Sequence, residues 1–570
     1  MAERLGYLPS HTIAGLGSDY IAREIADHAG ESDIAWPPSI VMGPQQLAHS
    51  LASRGPVLAS RRQLPSGLPL FGYSQDFYNR IHITPSELAL GNVASTQVTT
   101  VRLWNAYLTP EQVLELDGVE EGIQVTPPAA LPLTLGGLLE SDWLVAITPE
   151  GPSTLDTTVR WVFADAQPAR LRITGNRIVP WGFAPDWSSP VTEKLSWLTD
   201  ILANSRGTEQ RRSLRVSPRK SWSASFMAEG AERALFDLAM AGWGRRVWAL
   251  PVWTDVQTLS HELPAGSLFI ACDTGGRDFR LGGLAMLRGE TAFDTEAVEI
   301  NGLDSTGLTL KRITQTYWPA GTRLYPLRSA RLAEMPETQR LTDRLLRADA
   351  SFELTETADW PASLPATLYR GMPVFEARPD ESKDLTHSYE RLVLTLDNTT
   401  AMPAVTDTAG KNFALQQHRW MLAGREEHSA WRSLLYGLRG RAQAVWVPTH
   451  AEDLVPIEQA SGAVLKVQRV GYARFGLGQQ GRRDIRIELH SGAVIYRRIT
   501  AAAESGPTEE LALDSSLPGV IAPEQIARIS YMAMCRLASD DVELEHLTDA
   551  DGIARTAVNW RGVRDDLEAL

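Results

Sequence analysis

Cysteine is nearly missing from this chain: its 570 residues include Cys272 and Cys535 and no others. Two such distant cysteines make no disulfide framework. The chain reads as one made in a reducing cytoplasm, with two buried thiols. Basic charge is in deficit as well, with 55 Lys and Arg against 69 Asp and Glu and a net charge of −14. A dedicated nucleic-acid binder needs a basic face, so the balance argues against that class. Long apolar runs are missing too. None approaches the ~18 residues that span a bilayer. The start, MAERLGYLPSHTIAG, lacks the basic-then-apolar pattern of a secretion signal.

Catalytic motifs are equally scarce. No phosphate-binding G-x-x-x-x-G-K-S/T and no G-x-S-x-G nucleophile turn is found. FGLGQQG (475–481) has G-x-G-x-x-G spacing, but a strand-like run follows it where a dinucleotide loop needs a helix, so it reads as a turn. His418, His428 and His450 lie close in sequence without metal-ligand spacing and read as surface or half-buried side chains. Asp549 and Asp551 offer half of a calcium loop at most. No catalytic, cofactor-binding or metal-binding residue is singled out, no cofactor is expected, and the chain does not read as an enzyme.

What the chain has is β-pattern, tryptophan and repetition. Its length suggests about three to five domains. Residues 1–78 read as an N-terminal arm, with a short helix that puts Ile21, Ile25 and Ala26 on one face. From 79 to 178, short alternating runs (GIQVT, WLVAITP, TTVRWVFA, ARLRITG) predict a β-sandwich. The phrase ITPSELALGNV…TTVRLWNAY there resembles the opening strands of immunoglobulin-like modules on large assemblies.

The repetition appears at LRGRAQAVWVPTHAEDL (438–454) and GWGRRVWALPVWTDVQTL (242–259). Each follows a strand-like run and a helix-like run. In the first copy the runs are RSLRVSPRKSWSASFM, with Leu214, Val216, Trp222, Ala224 and Phe226 alternating, and a helix using Ala234, Leu235, Leu238 and Ala239. In the second, Leu392, Leu394 and Leu396 share a strand face, and a helix stripe holds Trp431, Leu434, Leu435 and Leu438. Arg after the helix complements its C-terminal dipole, Pro251 and Pro448 end a ladder, and Trp248 and Trp446 are expected to be buried. The offset is about 196 residues, an internal repeat. The modules are placed at 179–350 and 388–570, with a Pro-rich, acidic linker at 351–387. The fold class is mainly β with a few short helices: multidomain, an immunoglobulin-like β-sandwich plus a duplicated β-barrel module with one packed helix.

The repeat motif resembles the core pattern of phage distal-tail and tail-tip ring proteins. It is carried by Arg419, Trp420, Arg425, Gly440, Arg441, Trp446 and Asp453, and in the first copy by Arg219, Trp222, Arg245, Trp248 and Asp255. The stretch CRLASDDVELEHLTDADGIARTAVNWRGV resembles the ends of tail minor and baseplate hub proteins of siphophages and gene-transfer particles. The resemblance implies a tail-tube-like module and a structural virion component, made in the host bacterial cytoplasm. It would close the tail tube and anchor tail fibres or host-contact proteins. The implied partners are the chain itself, the tail tube protein, the baseplate hub, the tape measure protein and a tail fibre. DNA would pass through the channel without specific binding. Six-fold rings and a double module together suggest a homotrimer, with a hexamer as the other option. A carbohydrate-binding adhesin is the alternative class, resting on the tryptophan count. A hydrolase of cell-wall polymers is the third.

Overall fold

A computed structural model of the chain describes residues 77–566, apart from 94, 95, 150, 153, 550 and 551. The expected arm at 1–78 therefore lies almost wholly outside the described residues. The rest is mainly β, as its alternating patterns predict.

The runs that alternate between 79 and 178 form two sheets. One has four strands, Ile81–Thr84, Gln97–Asn105, Ile123–Thr126 and Glu140–Ile147. The other has five, including Glu111–Asp117, Thr154–Phe163 and Ala169–Arg177. Strand Gln97–Asn105 turns Val101 and Leu103 inward, and Thr154–Phe163 turns Val159 and Trp161 inward, so period two becomes a shared core. Trp143 meets Trp161 edge-to-face across it, at 5.8 Å between ring centres.

The first module runs β1 (Val191–Ser196), β2 (Arg219–Glu229), α1 (Ala231–Gly242), β3 (Trp248–Pro251), β4 (Phe269–Ala271) and β5 (Leu284–Arg288). It continues through β6 (Thr295–Asp304), β7 (Gly307–Leu310), β8 (Arg323–Leu332), β9 (Thr338–Arg340) and β10 (Leu345–Leu354). The second runs β11 (His387–Leu396), β12 (Ala404–Leu422), α2 (Arg425–Leu438), β13 (Val445–Pro448), β14 (Val464–Gln468) and β15 (Asp484–Leu489). It closes with β16 (Val494–Ser505), β17 (Thr508–Leu513), β18 (Ile526–Leu537), β19 (Asp541–His546) and β20 (Ala554–Gly562).

The two modules repeat ladder for ladder. In the first, β2 pairs with β1 and β10, β10 with β8 and β9, and β8 with β3 and β5; β6 then bridges β5 and β7, and β4 joins β7. Adding ten to each number gives the second module's antiparallel ladders. One extra pairing, Gln257–Thr258 with Arg323 and Leu324, is named in the first module alone. Both helices start after a glycine at positive φ, Gly230 at 57° and Gly424 at 85°, a conformation that suits a residue without Cβ.

Among the described residues no sheet closes into a barrel. The expected barrels are open sheets: β1 keeps its pairing with β2 and gives its other edge to β19 of the second module. Their register runs from Val191 opposite His546 to Ser196 opposite Asp541. That ladder joins the two halves into one continuous sheet.

Other expectations are corrected. Leu214 and Val216 do not extend β2; they lie exposed in a bend between Glu209–Ser213 and Arg219. Leu238 does not face the core: α1 buries Phe236, and Leu238 is 70% exposed. Leu394 and Leu396 share an exposed face of β11. β10 reaches Leu354, past the boundary set at 350. The segment read as an extended linker packs on the second module. Phe375 enters its core, and Trp360 donates to Ser433 (3.1 Å) while lying under the Arg432 guanidinium.

Trp248 and Trp446 are both 2% exposed. They are not counterparts, however. Pro251 opposes Leu327 and Pro448 opposes Met532, which pairs Trp248 with Val445 and Ala249 with Trp446. The short parallel contacts agree, since Trp181 N–H donates to the Ala249 carbonyl and Phe375 N–H to that of Trp446. One residue along a strand reverses the face. Trp248 packs in the core beside α1, whereas Trp446 packs away from α2, against Tyr369, Val374 and Met532.

Candidate functional site: the buried charged junction

Where the modules meet, charge is buried. The inward face of β1 reads Val191, Glu193, Leu195, so a carboxylate stands on an apolar face. Glu193 is 0% exposed and needs partners. Lys220, on the neighbouring β2, places its ammonium 2.8 Å away. Arg432 of α2 and His546 of β19 reach it from the second module, at 3.3 and 2.9 Å.

The cluster extends along the seam. Arg425 holds Asp255 at 2.8 Å, and Arg432 lies 3.7 Å from the same carboxylate. Asp255 also accepts the Asp278 backbone N–H, and Arg328 grips Asp278 with two bonds of 2.6 and 2.9 Å before reaching Glu356. Arg280 joins Asp278 to Asp359 at the rim, so five carboxylates (Glu193, Asp255, Asp278, Glu356, Asp359) face five cations (Lys220, Arg280, Arg328, Arg425, Arg432). The balance closes with both histidines neutral. Burial pushes His428 well below its ordinary range, with Arg432 adding to the effect, and burial also lowers His546. Burial alone would raise the Glu193 carboxyl, but Arg432, Lys220 and His546 outweigh it and hold it well below the carboxylate range.

The corner Arg441 belongs to this seam as well. It does not cap α2, whose last turn has no basic residue. Its guanidinium binds Asp540 at 3.0 and 3.1 Å, and Asp540 accepts from the Thr199 hydroxyl and N–H of the other module. Glu209, on the first module's hairpin, accepts two bonds of 2.8 Å from Arg536. The basic motif of the second copy therefore bridges the modules, whereas in the first copy Arg246 donates to the Gly151 carbonyl.

Glu193, His428 and His546 bring ligand atoms within 4.8 Å of one another. A dication there would meet the Lys220 ammonium and Arg432 guanidinium that already neutralise Glu193, so the donor set does not fit a metal. The seam has no opening for a substrate at Glu193, since Glu193, Lys220, Arg432 and His546 are all buried. A pocket nearby is lined by Leu284, Leu327, Arg280, Arg328 and Glu356; Arg328 pairs with Glu356, and Arg280 with Asp278 and Asp359. The arrangement is suited to fixing one module against the other.

His418, His428 and His450 are all buried, not surface side chains. They do not converge: His418 lies near His450, at 6.2 Å between rings, while His428 lies against His546 at 4.9 Å. Cys535 is buried, Cys272 is half-buried with its thiol pushed by burial up to about 11, and both are free. Asp551 lies outside the described residues; the Asp549 backbone carbonyl takes a bond from Arg425, and the Asp549 carboxylate lies 3.8 Å from Arg323.

No protein-family model matches the chain, and no curated protein does. Among solved structures, the E. coli chaperone DraB aligns over 26% of this chain and 91% of its own, at 13% identity and a TM-score of 0.14. Tripeptidyl peptidase 2 aligns over 86% of this chain and 38% of its own, at 8% identity and a TM-score of 0.16. Likenesses this faint carry no argument about function.

Proposed function

We propose that the chain is a structural component of a bacteriophage tail tip or baseplate, a distal-tail or hub-like ring protein. It closes the tail tube and anchors fibres or host-contact proteins. The observation that carries this reading is the duplicated module, fused through β1 and β19 into one sheet with a buried charged seam. A ring built from such modules needs rigid, directional joints, and a fixed seam supplies one. Three chains would provide six modules, which adapts a six-fold tube to a three-fold tip. On this reading the sandwich at 79–178 is an immunoglobulin-like decoration, and the modules are tail-tube-like. Partners are the chain itself, the tail tube protein, the hub, the tape measure protein and a tail fibre, all in the virion. The net charge of −14 favours a channel along which DNA slides without sticking.

The adhesin reading rested on exposed aromatic platforms. Trp222, Trp248 and Trp446 are 1–2% exposed, which weakens that reading. Labelling particles with an antibody to this chain tests the tail reading. Label at the tail end is the expected result. Label on the capsid, or none on particles that contain the chain, would overturn it.

A further inference from the structure

The duplication predicts a second junction that a single chain cannot make. Within the chain, β1 of the first module pairs with β19 of the second. Their counterparts are β11 and β9. Among the described residues β11 pairs with β12 alone, and β9 with β10 alone. Each keeps one free edge, and β9 is exposed throughout. We propose that β9 of one copy of this chain pairs antiparallel with β11 of a second copy, in the register that β19 and β1 already use.

The register follows from the ladders. Trp222 opposite Phe352 corresponds to Gln416 opposite Trp560. Counting from these anchors, Glu193 corresponds to His387, Thr192 to Thr386, Leu544 to Thr338, Glu545 to Gln339 and His546 to Arg340. Arg347 and Arg555, opposite Gln339 and Glu545, even keep the same residue. The new ladder would set Thr338 against His387 and Gln339 against Thr386. It is shorter than the internal one. Pro336 stands in the place of Val542 and has no N–H to donate to Tyr389.

The helices agree with this pairing. On α2, Arg425 and Arg432 meet Asp255 and Glu193 of the first module, and His428 brings a ring nitrogen within 4.8 Å of the Glu193 carboxylate. Counted from Gly230 and Gly424, their counterparts on α1 are Ala231, Ala234 and Leu238. Leu238 is 70% exposed, and Met335 and Leu341, which flank β9, are 47% and 51% exposed. At the other end, Tyr389, Leu394 and Leu396 of β11 are 54%, 65% and 71% exposed. The charged internal seam thus has an apolar counterpart at each end of the strand order β9-β10-β2-β1-β19-β20-β12-β11, and an exposed strand edge with apolar flanks is a template for pairing. The two patches differ, so the contact is head-to-tail and propagates until it closes. The pairing rests on the duplication; only the number of copies at closure rests on the tail-ring reading.

Thr386 and Gln339 would form a non-hydrogen-bonded pair, with Cα atoms about 4.5 Å apart, within disulfide reach. The test is Thr386→Cys with Gln339→Cys in one full-length chain that also carries Cys272→Ser. Thr192→Cys with Glu545→Cys is the internal control, expected to close within a chain. Mild oxidation of the test variant should give disulfide-linked multimers on a non-reducing gel. Adding Leu238→Asp should cut that linked fraction at least tenfold with an unchanged circular dichroism spectrum. Multimers that have the native mass but no linkage would overturn the pairing while leaving the ring reading intact. A test variant that folds and stays monomeric at concentrations of tens of micromolar would overturn the pairing too. The last rung of the linked ladder reports the number of copies.

Discussion

Glu193→Ala should cost on the order of 5 kcal/mol of stability, among the largest effects of any single truncation in this chain. The carboxylate is 0% exposed and meets Lys220 at 2.8 Å, His546 at 2.9 Å and Arg432 at 3.3 Å. Removing it leaves the Lys220 ammonium in the core, where burial already lowers its pKa and Glu193 is its close partner. Breaking a buried pair from one side costs far more than the pair contributes net, because the stranded charge stays desolvated. Trp222 reports the event, since its ring lies 5.6 Å from that of His546 and 4.9 Å from the Lys220 ammonium. A urea titration followed by tryptophan emission should show the midpoint falling sharply. Replacing Glu193, Lys220 and Arg432 together with apolar residues of similar size should recover much of the loss. A loss below about 1 kcal/mol for Glu193→Ala would mean that the seam is hydrated and holds nothing in place.

Acid should destabilise the fold as pH falls below 6.5, at the seam and at the His418–His450 pair. Burial lowers His428 and His546 at the seam, and it pushes His418 down to about 4 and His450 down to about 3. A histidine kept neutral in the folded state is protonated first in the unfolded state. Its contribution is complete above pH 6.5 and is lost as pH falls. By pH 4.5, His418 and His450 should each have cost about 3 kcal/mol. Asp565 acts in the opposite sense, because burial raises its carboxyl to about 7. The folded state then holds that proton first, which returns about 3 kcal/mol over the same window. The expected sum is a clear fall in the urea midpoint between pH 7 and 4.5, and a steeper one in Asp565→Asn. Equal midpoints at both pH values in the variant would contradict the buried, neutral histidines.

Much of the fold was legible because period two is a local signal. The alternating runs between 79 and 178 became strands where they were expected, and the repeat was visible in its strand–helix–Trp–Pro wording. The equivalence of Trp248 and Trp446 was not legible. The offset is 194 residues before the helices and 197 after them, since α2 has 14 residues to the 12 of α1 and the turn that follows it is one residue longer. Matching one tryptophan to the other skips that change and turns a side chain to the wrong face. Leu238, Leu394 and Leu396 were read as core because periodicity marks an apolar stripe without saying what covers it. The charged seam was hidden for a different reason. Glu193 and His546 are 353 residues apart, and each looks like an ordinary charge in a mixed sequence. One signal was available: Glu193 sits between Val191 and Leu195 on a buried face, and Lys220 holds the equivalent inward place before Trp222, Ala224 and Phe226. Charge on an apolar face asks for a partner, but one chain read alone does not say where that partner lies.

The mass of the full-length chain in solution, by native mass spectrometry at micromolar concentration, bears most directly on the claim that two fused modules serve as one joint of a ring. The account predicts a closed species of three times 62.7 kDa, one for each pair of modules. A single species at 62.7 kDa across the concentration range, or a closed six-chain ring, would contradict it.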